Sequence, residues 1–252
     1  MKRIIAKWIP SALFVSIVVL SVLAFSGCAV RPMETESSEL NQADESIQPQ
    51  QEPETMADIP GTPLSKEELD QFNGIFATQA DKSYCLPVNG FFTSFYDDAT
   101  ELDFVEFLRY YPDDSLLENE DAAEFEALSK LPDFPWNAED FEEDILTVGI
   151  LPTPTHRILR SSVDETLQNY AGITTKDLKN TEGVLYLPEY DAYYNFTSDF
   201  GPGVFECVGG KKDGNMVRLW SDTHGYDDSR EILTLQEVDG NYYIKSFQST
   251  NE

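Results

Sequence analysis

Residues 232–247 read Ile-Leu-Thr-Leu-Gln-Glu-Val-Asp-Gly-Asn-Tyr-Tyr-Ile-Lys-Ser-Phe, and this stretch decides the fold class. Apolar and polar residues alternate on both sides of Asp239-Gly240, the strongest short-range signal for a type I′ hairpin turn. A two-residue loop at that point pairs Glu237 with Tyr242, Leu235 with Ile244 and Leu233 with Ser246. One face of the hairpin is therefore apolar and the other polar, which predicts a sheet with one buried face.

Similar period-two patterns occupy the rest of the chain after Gly183. They predict strands at residues 184–187, 190–198, 204–208, 215–220, 232–238 and 241–247. The preceding part predicts helices, with capping boxes at Ser65/Glu68 and Ser162/Glu165 and a left-handed helix end at Gly172. Further helices are predicted after Thr100, over residues 121–131 and after Asn137, and an extended segment over residues 85–96. We therefore predict an α+β fold in which N-terminal helices pack on one face of a C-terminal antiparallel β-meander.

The first 28 residues have the pattern of a bacterial export signal. Basic residues precede an apolar run over residues 8–25, and small Ser26-Gly27 leads into Cys28. The ending Leu-Ala-Phe-Ser-Gly-Cys resembles the lipobox of bacterial lipoproteins, in which the cysteine is lipidated and becomes the new N-terminus. The alternative is an uncleaved membrane anchor, for which the run is short and contains Pro10. The resemblance implies lipidation of Cys28 and a place on the outer face of the cell membrane, held by the lipid anchor alone.

The net charge of the chain is −29, from 17 basic and 46 acidic residues. Removal of residues 1–27 leaves 14 basic residues and a charge of −32. Such a charge argues against nucleic acid and against anionic lipid headgroups as partners. It is compatible with a basic, saccharide or cationic ligand, or simply with a solvated acidic surface.

The composition changes near residue 62. From residue 29 to about residue 62, acidic residues mix with Ser, Gln and Pro, and no apolar period is present. Such a segment buries too little apolar surface to offset its ordering entropy. We expect residues 1–27 to be a lipoprotein signal peptide, residues 28–62 an acidic disordered tether, and residues 63–252 a single extracytoplasmic domain.

A candidate binding face lies on the strand predicted over residues 190–198. Strand alternation places Glu189, Asp191, Tyr193 and Asn195 on one side, where hydrogen-bonding groups surround an aromatic ring. Such a row suits a sugar or a cationic group, through hydrogen bonds and contacts with the ring. Ordinary solvent-facing strand residues have the same pattern, so both interpretations stay open.

A second candidate site is the loop that contains Asp222, His224, Asp227 and Asp228. Carboxylates and an imidazole are ligands for divalent cations, although the spacing does not match an EF-hand. Aspartate-rich loops without metal are the alternative. The sequence predicts no organic cofactor.

With Cys28 lipidated, Cys85 and Cys207 remain as an even pair in an oxidising compartment. A disulfide between them would close a long loop and so stabilise the fold. The alternative is two separate buried thiols.

Beyond the leader, the strand Tyr190-Asp-Ala-Tyr-Tyr194 and the closing hairpin resemble those of small, uncharacterised lipoproteins of Gram-positive bacteria. The resemblance implies no activity. The chain also contains no Gly-x-Ser-x-Gly, phosphate-loop, His-Glu-x-x-His or Cys-x-x-Cys motif. We therefore expect a non-catalytic binding or interaction domain. The alternatives are a surface-acting hydrolase that uses carboxylates such as Glu189 and Asp191, and a divalent-cation-binding module.

Overall fold

The computed structural model of the chain describes residues 54–76, 86–197, 203–223 and 229–250. They belong to the compact unit Gln50–Glu252. The helices are α1 (Glu54–Ala57), α2 (Lys66–Phe76), α3 (Phe104–Arg109), α4 (Ala122–Leu128) and α5 (Arg160–Ala171). Short 3-10 helices lie at Pro87–Phe92, Ala99–Glu101, Asn119–Asp121, Ala138–Phe141 and Val148–Ile150. The strands are β1 (Thr62–Pro63), β2 (Ser115–Leu116), β3 (His156–Leu159), β4 (Leu185–Leu187), β5 (Ala192–Asn195), β6 (Gly209–Asp213), β7 (Met216–Trp220), β8 (Glu231–Val238) and β9 (Asn241–Ser249).

The predicted α+β class is confirmed, but the strands form two antiparallel sheets instead of one meander. The larger sheet has the order β1-β6-β7-β8-β9, so that its last four strands are a meander. The smaller sheet has the order β2-β3-β5-β4. Strands β4 and β5, which we expected in the meander, instead pair with each other, and β5 also pairs with β3 from the helical half. Strand β3 and its other partner β2 are short, so that their sequence pattern did not predict strands.

The hairpin of β8 and β9 is confirmed, with one change of register. Leu235 lies opposite Ile244 and Glu237 opposite Tyr242, as predicted. A bulge between Thr234 and Leu235 then places Leu233 opposite Phe247 and not opposite Ser246. Because one residue is added to β9, the large ring of Phe247 reaches the core, where it is 1% exposed.

Some helix ends agree with the sequence prediction, and others differ from it. The capping box of α2 forms, with Glu68 N–H donating to Ser65 Oγ (3.3 Å) and Ser65 N–H to Glu68 Oε2 (2.8 Å). Helix α3 is capped by Asp103 and not by Thr100. Helix α5 begins at Arg160, two residues before the predicted cap Ser162, and ends at Gly172 as predicted, with φ +70°.

Three other predictions of local structure are wrong. The segment after Cys85 forms the 3-10 helix Pro87–Phe92 and not an extended strand. The predicted helix after Asn137 is a single turn, and Ile145 is 73% exposed. Residues 204–208 form no strand, although their burial alternates.

The smaller sheet separates two apolar cores. Helices α2, α3 and α5 and the larger sheet build the main core, which Ile158 and Tyr193 of the smaller sheet also join. The second core contains Leu185, Leu187 and Tyr194 of the smaller sheet, packed against helix α4. The smaller sheet is therefore buried on both faces.

The folded chain begins earlier than the predicted boundary at residue 63. Met56 in α1 is 1% exposed, and its carbonyl accepts a hydrogen bond from Lys211 Nζ at 2.9 Å. Strand β1 then pairs with β6 at the edge of the larger sheet. Residues 54–62 thus belong to the folded body, because buried contacts outweigh their polar composition. The leader and residues 28–53 of the predicted tether lie outside the described residues.

Candidate functional site

A groove of about 480 Å³ lies between helix α3, the β4–β5 hairpin and the loop before Trp136. Its volume is within the range of about 300–1,000 Å³ typical of small-molecule sites. Its walls combine apolar and aromatic side chains with a few polar ones. The lining residues are Val105, Leu108, Arg109, Asp133, Pro135, Trp136, Gly183, Val184, Leu185, Tyr194, Asn195, Phe196 and Thr197.

Helix α3 forms one wall of the groove. The Asp103 carboxylate caps its N-terminus by accepting hydrogen bonds from the backbone N–H groups of Val105 (3.0 Å) and Glu106 (3.1 Å). The apolar side of the helix packs into the main core through residues such as Leu108. Val105 remains 39% exposed at the groove.

Aromatic rings form the opposite wall. The rings of Trp136 and Phe196 meet edge to face, with centroids 4.4 Å apart, and both line the groove. Phe134 lies behind them, 5.8 Å from Trp136 and 5.5 Å from Phe196. Such edge-to-face contacts fix ring orientation, so the aromatic surface is held in place before any ligand arrives.

Asn195 joins the two walls. Its Nδ2 donates a hydrogen bond to the carbonyl of Leu108 in helix α3 at 2.7 Å. Its Oδ1 accepts one from the backbone N–H of Thr197 at 3.3 Å. The amide thereby ties the end of β5 to the end of α3 beside the groove.

Among the described residues, two charged side chains line the groove, and their surroundings differ. Arg109 forms an ion pair with Glu106 one turn earlier, at 2.5 Å. The carboxylate of Asp133 has neither a hydrogen-bond donor nor a cation within bonding distance among the residues that the structure describes. The charge of Arg109 is thus compensated by its neighbour, whereas Asp133, an exposed residue of the lining, has no such partner among the described residues.

A buried polar cluster supports the back of the hairpin. Glu124 of α4 is 4% exposed and accepts hydrogen bonds from Arg157 Nε at 2.7 Å, from Arg157 Nη2, and from the hydroxyl of Tyr194 at 2.5 Å. Burial and the bond to Glu124 raise the pKa of Tyr194 far above its usual value, so this hydroxyl stays protonated. The cluster connects α4, β3 and β5 and fixes the strand that carries Asn195.

His156 adds a further tie at the rim of the groove. Its Nδ1 lies 3.2 Å from Asp113 Oδ2, and its Nε2 lies 2.9 Å from the carbonyl of Thr197. Strand pairing of β3 with β5 brings His156 beside Thr197.

The predicted binding face does not form as an exposed row. Tyr193 is 7% exposed and packs edge to face on Phe104, with centroids 5.1 Å apart. Glu189 and Asp191 lie in the turn before β5, so they are outside its alternation. Only Asn195 of the four predicted residues lines the groove. The alternation is correct, but both faces of β5 are buried because the strand lies inside a sheet between two cores.

Asp191 has a structural role in this arrangement. Its carboxylate accepts hydrogen bonds from Arg160 Nε (2.6 Å) and Nη2 (3.1 Å) and from the Tyr186 hydroxyl (2.6 Å). The Arg160 guanidinium, followed by the Tyr186 hydroxyl, lowers the pKa of this carboxyl. The Asp191 carboxylate is therefore held ionised, and both of its oxygen atoms already accept hydrogen bonds from protein groups.

The other predicted sites lie partly outside the described residues. Asp222 accepts a hydrogen bond from the N–H of Thr223 at 2.8 Å, whereas His224, Asp227 and Asp228 are outside. The described residues include no cluster of three or more metal-ligating side chains. The cation loop therefore stays a prediction.

Of the three cysteines, only Cys207 lies among the described residues. Cys207 is a buried free thiol whose Sγ lies 3.8 Å from the carbonyl of Leu69. Its backbone makes two hydrogen bonds with the Asn73 side chain, at 2.8 and 2.9 Å. Cys28 and Cys85 are outside the described residues, so lipidation of Cys28 and the pairing of Cys85 with Cys207 both stay predictions.

Sequence reasoning missed most of the groove. Trp136 belongs to Asp133-Phe-Pro-Trp136, an aromatic and proline segment within an acidic stretch, and this contrast is the signal that could have been used. Val184 and Phe196 were assigned to strands without a common site. Their meeting depends on the pairing of β4 with β5, which local pattern does not specify.

No protein-family model matches the chain, and neither does any curated protein or solved structure at the threshold of the comparison. Within the described residues, no helix is both long and apolar enough to cross a membrane.

Proposed function

We propose that this protein is a lipid-anchored extracytoplasmic lipoprotein whose domain binds a saccharide without catalysis. The observation that carries the proposal is the groove in which Trp136 and Phe196 present aromatic surface beside Asn195, Asp133 and Arg109. Sugars combine an apolar ring face with a rim of hydroxyl groups. A preformed aromatic wall flanked by amide, carboxylate and guanidinium groups matches both properties.

The signal segment supports the proposed location. A lipidated Cys28 would hold the domain beside the cell wall, where saccharides are the abundant polymer. Incorporation of radiolabelled fatty acid should be seen in the wild-type protein and lost in Cys28→Ser. Label that persists in Cys28→Ser, or its absence from the wild-type protein, would contradict the anchor.

The hydrolase alternative has less support from the groove. Glycoside hydrolysis commonly uses two carboxyl groups on either side of the scissile bond, at about 5–10 Å from each other. Asp133 is the carboxylate among the described lining residues. Asp191, one of the two carboxylates named for hydrolysis, is instead bound to Arg160 and Tyr186.

Binding is tested by calorimetry with the full chain in mild detergent. The probes are trisaccharides of glucose and of N-acetylglucosamine, which are neutral and differ in their substituents. We expect binding of at least one probe and its loss, by tenfold or more, in Trp136→Ala. Tyr190→Ala is the matched control, because Tyr190 is an aromatic residue that is 37% exposed outside the groove. Absence of binding, or equal affinity in Trp136→Ala, would refute the proposal.

A further inference from the structure

Asp133 is the charged lining residue that has no partner among the described residues. Its carboxylate shares the lining with Trp136, and no described residue lies within hydrogen-bond or ion-pair distance of it. The cationic lining residue, Arg109, is already paired with Glu106 at 2.5 Å. The described residues of the lining therefore present one negative charge that a ligand could neutralise.

Two further features favour a positively charged ligand at this point. An ammonium group beside an aromatic ring is attracted by the ring quadrupole, and Trp136 and Phe196 supply the rings. The net charge of −29 also raises the local concentration of cations around the domain. Both effects act in the same direction as the carboxylate of Asp133.

We propose that Asp133 makes the groove selective for an amino sugar, whose ring contacts Trp136 and whose ammonium group pairs with the Asp133 carboxylate. This inference rests on the proposed saccharide-binding function and names the class of saccharide. The neutral N-acetylated sugar has the same ring but cannot form the ion pair. Affinity should therefore depend on the charge of one substituent.

The test compares trisaccharides of glucosamine and of N-acetylglucosamine by calorimetry with the full chain in mild detergent. The measurement is made at about pH 5.5, where an amine whose pKa resembles that of an α-amino group, about 7.7, is protonated. A partly exposed ion pair contributes up to about 1 kcal/mol, which is about a fivefold change in affinity. We expect the glucosamine trisaccharide to bind about fivefold more tightly, and the preference to shrink as salt is added.

The variant Asp133→Asn should abolish the preference of the protein for the glucosamine trisaccharide over the N-acetylglucosamine trisaccharide. Glu139→Gln is the matched control, because it removes one exposed carboxylate that does not line the groove. The preference should persist in that variant. An equal loss in both variants would assign the effect to net charge and overturn the role of Asp133.

The outcomes separate the two proposals. Equal affinity of the wild-type protein for both trisaccharides, with loss of both in Trp136→Ala, overturns the selectivity and keeps saccharide binding. Binding of neither trisaccharide overturns both proposals. Tighter binding of a lysine tripeptide than of the glucosamine trisaccharide would show that the groove recognises cations without a sugar ring, and would also overturn both.

Discussion

Asp191 holds two elements together in a backbone conformation that few non-glycine residues adopt. Its φ is +48°, in the left-handed region that Asp and Asn tolerate better than other side chains. In this conformation its carbonyl accepts a hydrogen bond from the N–H of Arg160 at 2.9 Å, while its carboxylate accepts two from the guanidinium of the same residue. The turn before β5 is thereby fixed to the start of α5.

We expect Asp191→Asn to lower the free energy of unfolding in a pH-dependent manner. Because Arg160 lowers the pKa of Asp191 in the folded state, the stabilisation is fully present above the unfolded pKa of about 3.9. It is lost as the pH falls through the lower, folded pKa. Asn keeps the shape and tolerates the same backbone conformation, so the charge is the main change.

Urea unfolding of both proteins across the acidic range measures this difference. The gap in stability should be largest near neutral pH and should close at the lowest pH. Glu189→Gln is the control from the same turn, since Glu189 makes no hydrogen bond or ion pair with the described residues. A gap that stays constant with pH would show that the Asp191 charge does not stabilise the fold.

Cys207 provides a second prediction for a single residue. Burial raises the pKa of its thiol to about 12, and the residue is 3% exposed. A thiol in this state is a poor nucleophile. We expect iodoacetamide to leave Cys207 unmodified in the native protein and to modify it after denaturation without reductant, as read by mass spectrometry of its peptide. Resistance after denaturation would instead support the disulfide with Cys85.

At the level of elements, the sequence predicts some turns and helix ends better than it predicts strand pairing. The Asp239-Gly240 turn and the Gly172 stop are local, so their signals are complete within a few residues. Strand β6 was missed because Gly209-Gly-Lys-Lys-Asp213 lacks the residues that favour strands. Glycine is required there for packing, since a Cβ atom on Gly209 would lie 2.3 Å from Nε1 of Trp220. That requirement depends on a residue of the next strand.

The same contrast between local signals and long-range pairing applies to the candidate groove. The α3 wall could be foreseen from helical spacing, whereas its opposition to Trp136 and Phe196 depends on the order of strands in the smaller sheet. Tyr193 was assigned to an exposed face because alternation does not distinguish a half-buried strand from one covered on both sides.

Two glycine-to-alanine substitutions test the local geometry in opposite directions. Gly240 has φ +81°, and no atom lies within 4 Å of an added Cβ, so Gly240→Ala costs only backbone strain of about 1–2 kcal/mol. Gly74 lies inside α2 with equally open space. Gly74→Ala should therefore stabilise the protein by about 0.4–1 kcal/mol. Urea unfolding measures both effects, and changes of the same sign would contradict the conformations assigned to these residues.

At the scale of the whole molecule, residues 54–63 are attached to the edge of the larger sheet by hydrogen bonds and strand pairing. Lys211 in β6 is 6% exposed, and its ammonium group donates hydrogen bonds to the carbonyls of Met56 (2.9 Å) and Ala57 (3.1 Å). These carbonyls belong to the short helix α1, whose last carbonyls have few backbone partners, and the N–H of Ile59 also donates to the Met56 carbonyl at 3.2 Å. Strand β1 then adds two residues of pairing to β6. The attachment of residues 54–63 therefore depends strongly on one side chain.

We expect Lys211→Met to release this segment while the rest of the domain stays folded. The substitution keeps most of the apolar stem and removes the charged donor, whose hydrogen bonds contribute about 1.5–3 kcal/mol. Opening of the segment should become about tenfold to hundredfold more frequent, because 1.4 kcal/mol corresponds to a factor of ten. Thermolysin, which cleaves before residues such as Met56 and Ile59, should cut the variant correspondingly faster. Lys130→Met removes a lysine from the turn that follows α4, where its side chain is 68% exposed, and should leave the cleavage rate unchanged. Equal rates in wild type and Lys211→Met would mean that strand pairing and the burial of Met56 hold the segment without the ammonium group.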